Sequence, residues 1–279
     1  MPADNVGILS QPQIDSFHDK GFLIADFKLD PLLLDAIVEK VYPYYPEEFR
    51  LNPKIPARVQ DAWKKVDEVR QLAIHPKITQ ALQQLFQRKP LAFQTLNFPI
   101  GTSQRAHSDT VHFNSIPKGN MAGVWVALED IDTDNGPLLY YPGSHKLREY
   151  SMQDFGLQPG YAKYFKYEIC MQGIIKEHNL RPEYGFIKKG EALIWHANLL
   201  HGGAPQLESS RSRHSQVTHF YFEGCRYYTP MNSSARKLAY RYPFWIPESA
   251  DFILPEDRPR WQRLLLRLKN NLRLERWKR

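Results

Sequence analysis

At Lys89-Pro90 the texture of this 279-residue chain changes, and that change limits the folds open to it. Before it, apolar residues recur at helical spacing. Residues 11–21 read as a short helix, with Ile14, Phe17 and His18 in phase and Gly21 as the stop. Phe22-Leu23-Ile24-Ala25 reads as a strand. Asp30-Pro31 starts a second helix, with Leu33, Leu34, Ile37, Val38 and Val41 on one face. Residues 42–56 are rich in Pro and Tyr and read as a loop, and 59–72 and 76–87 read as two further amphipathic helices. After Pro90 the runs shorten and become aromatic and β-branched. Residues 91–98, 121–128, 138–141, 185–188, 192–196 and 216–222 have strand composition. Turn signals such as Asp134-Asn135-Gly136-Pro137 and Pro142-Gly143 separate them. Helices first and short strands afterwards predict a mainly β fold: an antiparallel barrel or jelly roll with helices packed against it.

The composition permits a sizeable core, because 42% of the residues are hydrophobic. No apolar run reaches the length of a membrane span. The N-terminus lacks a basic-then-apolar leader, which predicts a cytoplasmic protein. Cys170 and Cys225 are the only cysteines and read as buried thiols. The net charge of +7 is a property of the tail. Residues 258–279 hold nine Lys/Arg and one Glu, a net +8, so residues 1–257 sum to −1. A near-neutral body argues against nucleic acid as a partner.

His107-Ser108-Asp109 is the motif with the most chemistry in it. On a strand, side chains alternate faces, so His107 and Asp109 would point one way and Ser108 the other. One imidazole and one carboxylate then converge. His201, in His201-Gly202-Gly203, is the candidate third donor. Two neutral imidazoles and a carboxylate, with one face left open, is the donor set of non-haem Fe(II) oxygenases.

From Leu91 to Tyr228 the chain resembles the phytanoyl-CoA dioxygenase family of Fe(II)/2-oxoglutarate oxygenases. The resemblance rests on Asn97-Phe98-Pro99, His107-Ser108-Asp109, Trp125, Asn135-Gly136-Pro137-Leu138, Pro142-Gly143-Ser144-His145-Lys146, His201-Gly202, and Arg213 followed by His219-Phe220. Gly21-Phe22-Leu23-Ile24 is similar to the family's opening. The resemblance implies a double-stranded β-helix (a cupin-like jelly roll) flanked by N-terminal helices. It implies Fe(II) on His107, Asp109 and His201, 2-oxoglutarate bound by Arg213, Trp125 and Gln94, and O2 as oxidant. The implied reaction decarboxylates 2-oxoglutarate to succinate and CO2 and hydroxylates a C–H bond of a small molecule. Family members that halogenate replace the carboxylate ligand with a small residue. Asp109 therefore favours hydroxylation or a related oxidation such as desaturation. A guanidinium suits the distal carboxylate because it pairs bidentately and stays charged. Arg211 competes with Arg213 for that role, since both face the same side in an extended chain.

The expected organisation is one oxygenase domain over residues 1–279. Residues 1–90 form a helical layer, and 91–228 a β-helix core with an insertion at 142–184. Residues 229–279 form a C-terminal extension. Insertions of that length commonly serve as lids or binding loops. Tyr161–Tyr167, with Lys163 and Lys166, would suit an anionic or sugar-like ligand. Asn97, His112, Tyr140 and His196 are candidates for the substrate pocket. In the tail, Pro259 opens a helix with Trp261, Leu264, Leu265, Leu268 and Leu272 in one stripe and arginines opposite. It reads either as a docked helix with a solvated basic face or as a peripheral contact with an anionic surface through 258–279. The rival reading of the whole chain is a non-catalytic metal- or sugar-binding jelly roll.

Overall fold

The computed structural model describes residues 7–254 and 257. The C-terminal helix expected over 258–279 lies outside the described residues. The elements in order are α1 (Gln11–Lys20), β1 (Phe22–Asp26), α2 (Pro31–Val41), α3 (Glu47–Leu51), β2 (Val59–Gln60), α4 (Asp67–Ala73) and α5 (Pro76–Phe86). Then follow β3 (Pro90–Phe98), β4 (Asn114–Ile116), β5 (Met121–Ala127), β6 (Leu138–Tyr140), α6 (Tyr164–Glu177), β7 (Glu183–Tyr184), β8 (Glu191–His196), β9 (His201–Gly203), β10 (Ser215–Phe222), β11 (Arg226–Tyr228) and β12 (Tyr240–Arg241).

Six antiparallel strands form the large sheet, in the order β1-β8-β5-β10-β3-β2. A small sheet, β7-β6-β9, is extended by a reciprocal pair of backbone hydrogen bonds between His107 and His201, at 2.9 and 3.0 Å. Together they make the double-stranded β-helix. Parity divides the large sheet into two faces. Val124, Val126, Ala192, Ile194, Phe220 and Phe222 pack against α2, α4 and α5 in one continuous apolar cluster. Trp125, Leu193, Trp195 and Val217 face the barrel interior. The helical layer thus covers one face, and the other lines the cavity.

Local chemistry fixes most element ends. The Asp30 side chain accepts from the Leu32 N–H and caps α2, with Pro31 in the first turn. Gly21 ends α1 at φ 84°, a left-handed conformation natural to glycine.

Four expectations are corrected. Residues 59–72 are not one helix. Val59 and Gln60 instead pair with Asn97 and Leu96 at the sheet edge, and Asp61 takes φ 55°, which delays the helix to Asp67. The stretch 42–56 is not all loop, since α3 occupies part of it. At 185–188 only Ile187 bridges, to Ile131, and the strand is β7 just before it. Finally, His107 and Asp109 do not share a strand. Asp109 opens a single 3₁₀ turn, Asp109–Val111, because the Ser108 side chain accepts from the Thr110 N–H and bends the chain there.

Candidate active site

The motif's middle residue ties the site together. Ser108 Oγ donates within a buried network reaching the Ala197 carbonyl and Asn198 Oδ1, both at 3.1 Å. Asn198 Nδ2 donates in turn to the carbonyls of His145 and Leu147. Residues 197–198 lead directly into β9 and His201. Ser108 therefore locks the loop that delivers the second histidine against the turn that delivers the first histidine and the carboxylate.

His107, Asp109 and His201 are all buried, and one donor atom from each lies within 4.8 Å of the other two. Nε2 of His107 is 3.8 Å from Asp109 Oδ1, and Nε2 of His201 is 3.8 Å from Asp109 Oδ2. Metal bonds of about 2.0–2.2 Å place donors at most about 4.4 Å apart, so a small contraction brings all three onto one ion. The rings are already turned for it. Nδ1 of His107 is 3.0 Å from the Arg105 carbonyl, and Nδ1 of His201 is 2.9 Å from the Leu199 carbonyl. A carbonyl only accepts, so each Nδ1 carries the proton and each Nε2 lone pair faces the cluster. Burial pushes His107 below its ordinary pKa, which keeps the ring neutral at neutral pH. Burial alone would raise Asp109, but His201, His219, His107 and the Trp195 indole outweigh it and hold the carboxyl at about 2. Two imidazole nitrogens and one anionic oxygen fit a divalent ion of borderline softness.

Two neighbours of the cluster were not singled out from sequence. Trp195 Nε1 donates to Asp109 Oδ2 at 2.8 Å. Gly123, its cross-strand partner, makes room for the indole; a Cβ there would lie 2.1 Å from the Trp195 ring. The second neighbour is His219, whose Nε2 is 3.8 Å from Asp109 Oδ2 and whose Nδ1 is 3.1 Å from Gln94 Oε1. Gln94 and His219 are directly opposite on β3 and β10, beside a bulge at His219/Phe220. Outer partners that orient a ligand commonly contribute about 10–100-fold to metal affinity. Trp195→Phe keeps the bulk and removes only the N–H. It should weaken Fe(II) binding by roughly that factor, measured by competition with a chelating dye.

Deeper in the same cavity sits Arg213, 2% exposed. Its Nη1 donates to Ser215 Oγ at 3.2 Å, its guanidinium lies over the Trp125 ring, and Nε has no partner. Trp125 Nε1 is likewise buried and unpartnered. No ion pair to Arg213 exists among the described residues. Burial lowers its pKa to about 10, so it still carries its charge. A buried cation without a counter-ion costs several kcal/mol, and the arrangement fits a carboxylate guest. Arg211 does not compete. It is paired with Asp132, at 2.8 and 2.9 Å, outside the cavity. Arg211→Ala should change stability and any 2-oxoglutarate affinity little, by about 0–1 kcal/mol, in a thermal-shift titration.

Of the pocket candidates, His112 lines the cavity. The other three do not. Asn97 faces the helical layer, 1% exposed, with Nδ2 on Gln216 Oε1 at 3.3 Å. His196 points to the same side and packs near Phe86 and His145. Tyr140 is core, its ring 4.2 Å from that of Phe22 and its hydroxyl on the Tyr184 carbonyl.

The cavity is about 210 Å³; buried Arg213 and the cluster line it together with the more exposed Arg58, Gln60, Gln104, His112 and Tyr161, which mark its mouth. The family model for phytanoyl-CoA dioxygenase (PhyH) matches residues 21–215, more than half of the chain. The chain belongs to the phytanoyl-CoA dioxygenase family. It is 27% identical over 165 residues to phytanoyl-CoA dioxygenase domain-containing protein 1 of Danio rerio, covering 56% of this chain and 54% of that one. It is 23% identical over 233 residues to the peroxisomal phytanoyl-CoA dioxygenase of Bos taurus, covering 79% and 65%. The chain thus spans about half to two-thirds of the length of these curated relatives. Among solved structures, the non-heme alpha-ketoglutarate-dependent carbocyclase SnoK from nogalamycin biosynthesis superposes with TM-score 0.64 at 17% identity, over 78% of this chain and 86% of that one. EctD from S. alaskensis superposes with TM-score 0.62 at 16% identity, over 87% and 88%. Both likenesses establish the fold of this family member. No helix among the described residues is long and apolar enough to cross a membrane.

Proposed function

We propose that this member of the phytanoyl-CoA dioxygenase family is an Fe(II)- and 2-oxoglutarate-dependent dioxygenase that hydroxylates a small organic molecule. The observation that carries the reading is Arg213: a buried guanidinium with an orphaned Nε and no ion-pair partner among the described residues, in the same cavity as the two-histidine, one-carboxylate cluster. A non-catalytic metal- or sugar-binding jelly roll has no use for that cation. His107, Asp109 and His201 would hold the iron, and Arg213 with Trp125 would hold the distal carboxylate of 2-oxoglutarate. Gln94, through His219, would face the near end. A relative in fold, EctD, was crystallised with 2-oxoglutarate and 5-hydroxyectoine, and SnoN, another, with Fe3+ and alpha-ketoglutarate.

Iron and 2-oxoglutarate together supply the oxidation of an unactivated C–H bond, with succinate and CO2 as co-products. The chain's own part is positioning. The Nδ1 anchors fix both imidazoles, and Trp195 holds one carboxylate oxygen. The guanidinium would neutralise a carboxylate, and the aromatic side chains of Trp125, Phe98 and Trp195 line the same cavity. No side chain needs to act as a nucleophile.

The helical layer, β-helix core and insertion are proposed to work as one unit, because one apolar cluster runs from α2 through α5 into the large sheet and a second joins Tyr150, Met152, Tyr167 and Met171 of the insertion to Val111 and Leu200 of the core. A cytoplasmic location is supported by two unpaired thiols, Cys170 and Cys225, among the described residues. The small cavity favours a small substrate; pockets for drug-sized ligands run to about 300–1,000 Å³.

Succinate release tests the reading. The full chain with Fe(II), ascorbate and 2-oxoglutarate should form succinate, and Arg213→Leu should lose most of it at limiting 2-oxoglutarate. Equal rates from both proteins would overturn the proposal.

A further inference from the structure

The oxygenase reading leaves one charge at the site unexplained. Arg58 immediately precedes β2, and Val59 pairs with Asn97 on β3. Alternation puts Arg58 and Gln60 on the same face, and both line the cavity mouth. Arg58 is exposed and makes no ion pair or side-chain hydrogen bond among the described residues. The nearest carboxylate in sequence, Asp61, is turned away. Its Oδ1 accepts from the Thr95 N–H and from Trp63 Nε1.

The formal charges decide what Arg58 is for. Iron(II), the Asp109 carboxylate, a dianionic 2-oxoglutarate and the Arg213 guanidinium together sum to zero. Glu168, buried beside Gln104, Arg241, stacked on Phe93 and Phe113, and Glu129, which acts on Arg213 from a distance, all lie outside the cavity wall, so the balance that matters is that of the wall itself. On that wall Arg58 leaves one positive charge at the mouth, and among the described residues Asp109 is the only carboxylate lining it. The rest of the mouth is neutral and partly planar. The ring of Tyr161 stacks on that of His112, with centroids 5.7 Å apart and planes 11° apart.

We propose that the substrate is a small carboxylic acid, with its carboxylate held by Arg58 and its apolar or planar body against the His112–Tyr161 wall. This rests on the oxygenase reading and adds the substrate class. A monoanion balances the site, whereas a phosphate monoester would overshoot by one charge. The guanidinium fork meets a carboxylate with two parallel hydrogen bonds, and the mouth position orients the body toward the iron cluster.

The test uses the full chain with Fe(II), ascorbate and 2-oxoglutarate. Butanoate, hexanoate, benzoate and 3-phenylpropanoate are each compared with their primary amides as stimulators of succinate formation. In the wild type at least one acid should exceed its amide by about tenfold or more in kcat/KM. In Arg58→Gln that ratio should fall below about twofold, and Arg58→Lys, which keeps the charge but not the fork, should fall between. Equal stimulation by acids and amides in the wild type, or none from either, overturns the proposal. So does an Arg58→Gln protein that keeps the ratio, or one whose sole defect is a raised KM for 2-oxoglutarate. No succinate from the wild type under any condition overturns the oxygenase reading itself, and the carboxylate proposal with it.

Discussion

Replacing Arg213 with leucine should make the ligand-free protein harder to unfold while making 2-oxoglutarate harder to hold. The two effects have one cause. Arg213 is 2% exposed, its Nε is unpartnered, and burial has pulled its pKa down to about 10. Leucine removes that desolvation cost, and its shorter side chain gives back part of the gain as lost packing. Replacing buried ion pairs with apolar residues of similar volume has stabilised proteins by up to about 4 kcal/mol, and each kcal/mol is worth roughly 2–4 °C of Tm at this chain length. The same substitution removes the counter-charge for a buried carboxylate, a loss of about 2–5 kcal/mol or roughly 30-fold to several-thousand-fold in affinity. The wild type should therefore gain Tm with added 2-oxoglutarate, and Arg213→Leu should start higher and gain nothing. A variant that starts lower and still responds would mean that Arg213 is a structural residue.

Asp109→Ala carries the second large effect. It takes away the only anionic donor of the cluster and leaves two imidazoles and the orphaned Trp195 N–H. The loss of Fe(II) affinity should exceed the roughly 10–100-fold expected of an outer partner, and 2-oxoglutarate turnover should vanish with it. Dye competition under anaerobic conditions measures the first, and succinate the second. The Tm of the metal-free variant serves as the control for folding. Trp195→Phe should fall between this variant and the wild type. If Asp109→Ala bound Fe(II) as well as Trp195→Phe, the carboxylate would not be a ligand.

Much of this site was open to reading in the sequence, because strand parity and motif spacing are local properties. The change of texture at Pro90 marks where most of the barrel strands begin, although β1 and β2 of the large sheet precede it, and His107 and Asp109 converge with His201, the candidate third donor. The route differs, since a Ser108-capped turn rather than a strand aims Asp109. Parity also held information that was left unused. Gln94 and Asn97 are an odd number of residues apart on β3, so they cannot both face the cavity. Gln94 faces in, and Asn97 packs on the helical layer. His196 follows inward-facing Trp195 and fails on the same ground. His219 is in phase with Arg213 and Val217 on the inner face, and that phase alone could have flagged it.

Other features were beyond any local rule. Arg211 and Arg213 share a face in an extended chain, and only the long-range pairing of Arg211 with Asp132 separates them. The Trp195–Asp109 bond joins residues 86 apart in sequence. The apolar spacing of residues 59–72 mimics a helix, but the edge of β3 captures Val59 and Gln60 first. That capture is what brings Arg58 to the mouth.

The most direct test is a crystal of the full chain grown anaerobically with Fe(II) and 2-oxoglutarate, with anomalous scattering collected at the iron edge. One iron peak should lie about 2.0–2.2 Å from Nε2 of His107, Nε2 of His201 and a carboxylate oxygen of Asp109. A 2-oxoglutarate molecule should reach from that iron to the Arg213 guanidinium. An iron peak elsewhere, or a 2-oxoglutarate that leaves Arg213 unpaired, would contradict the account.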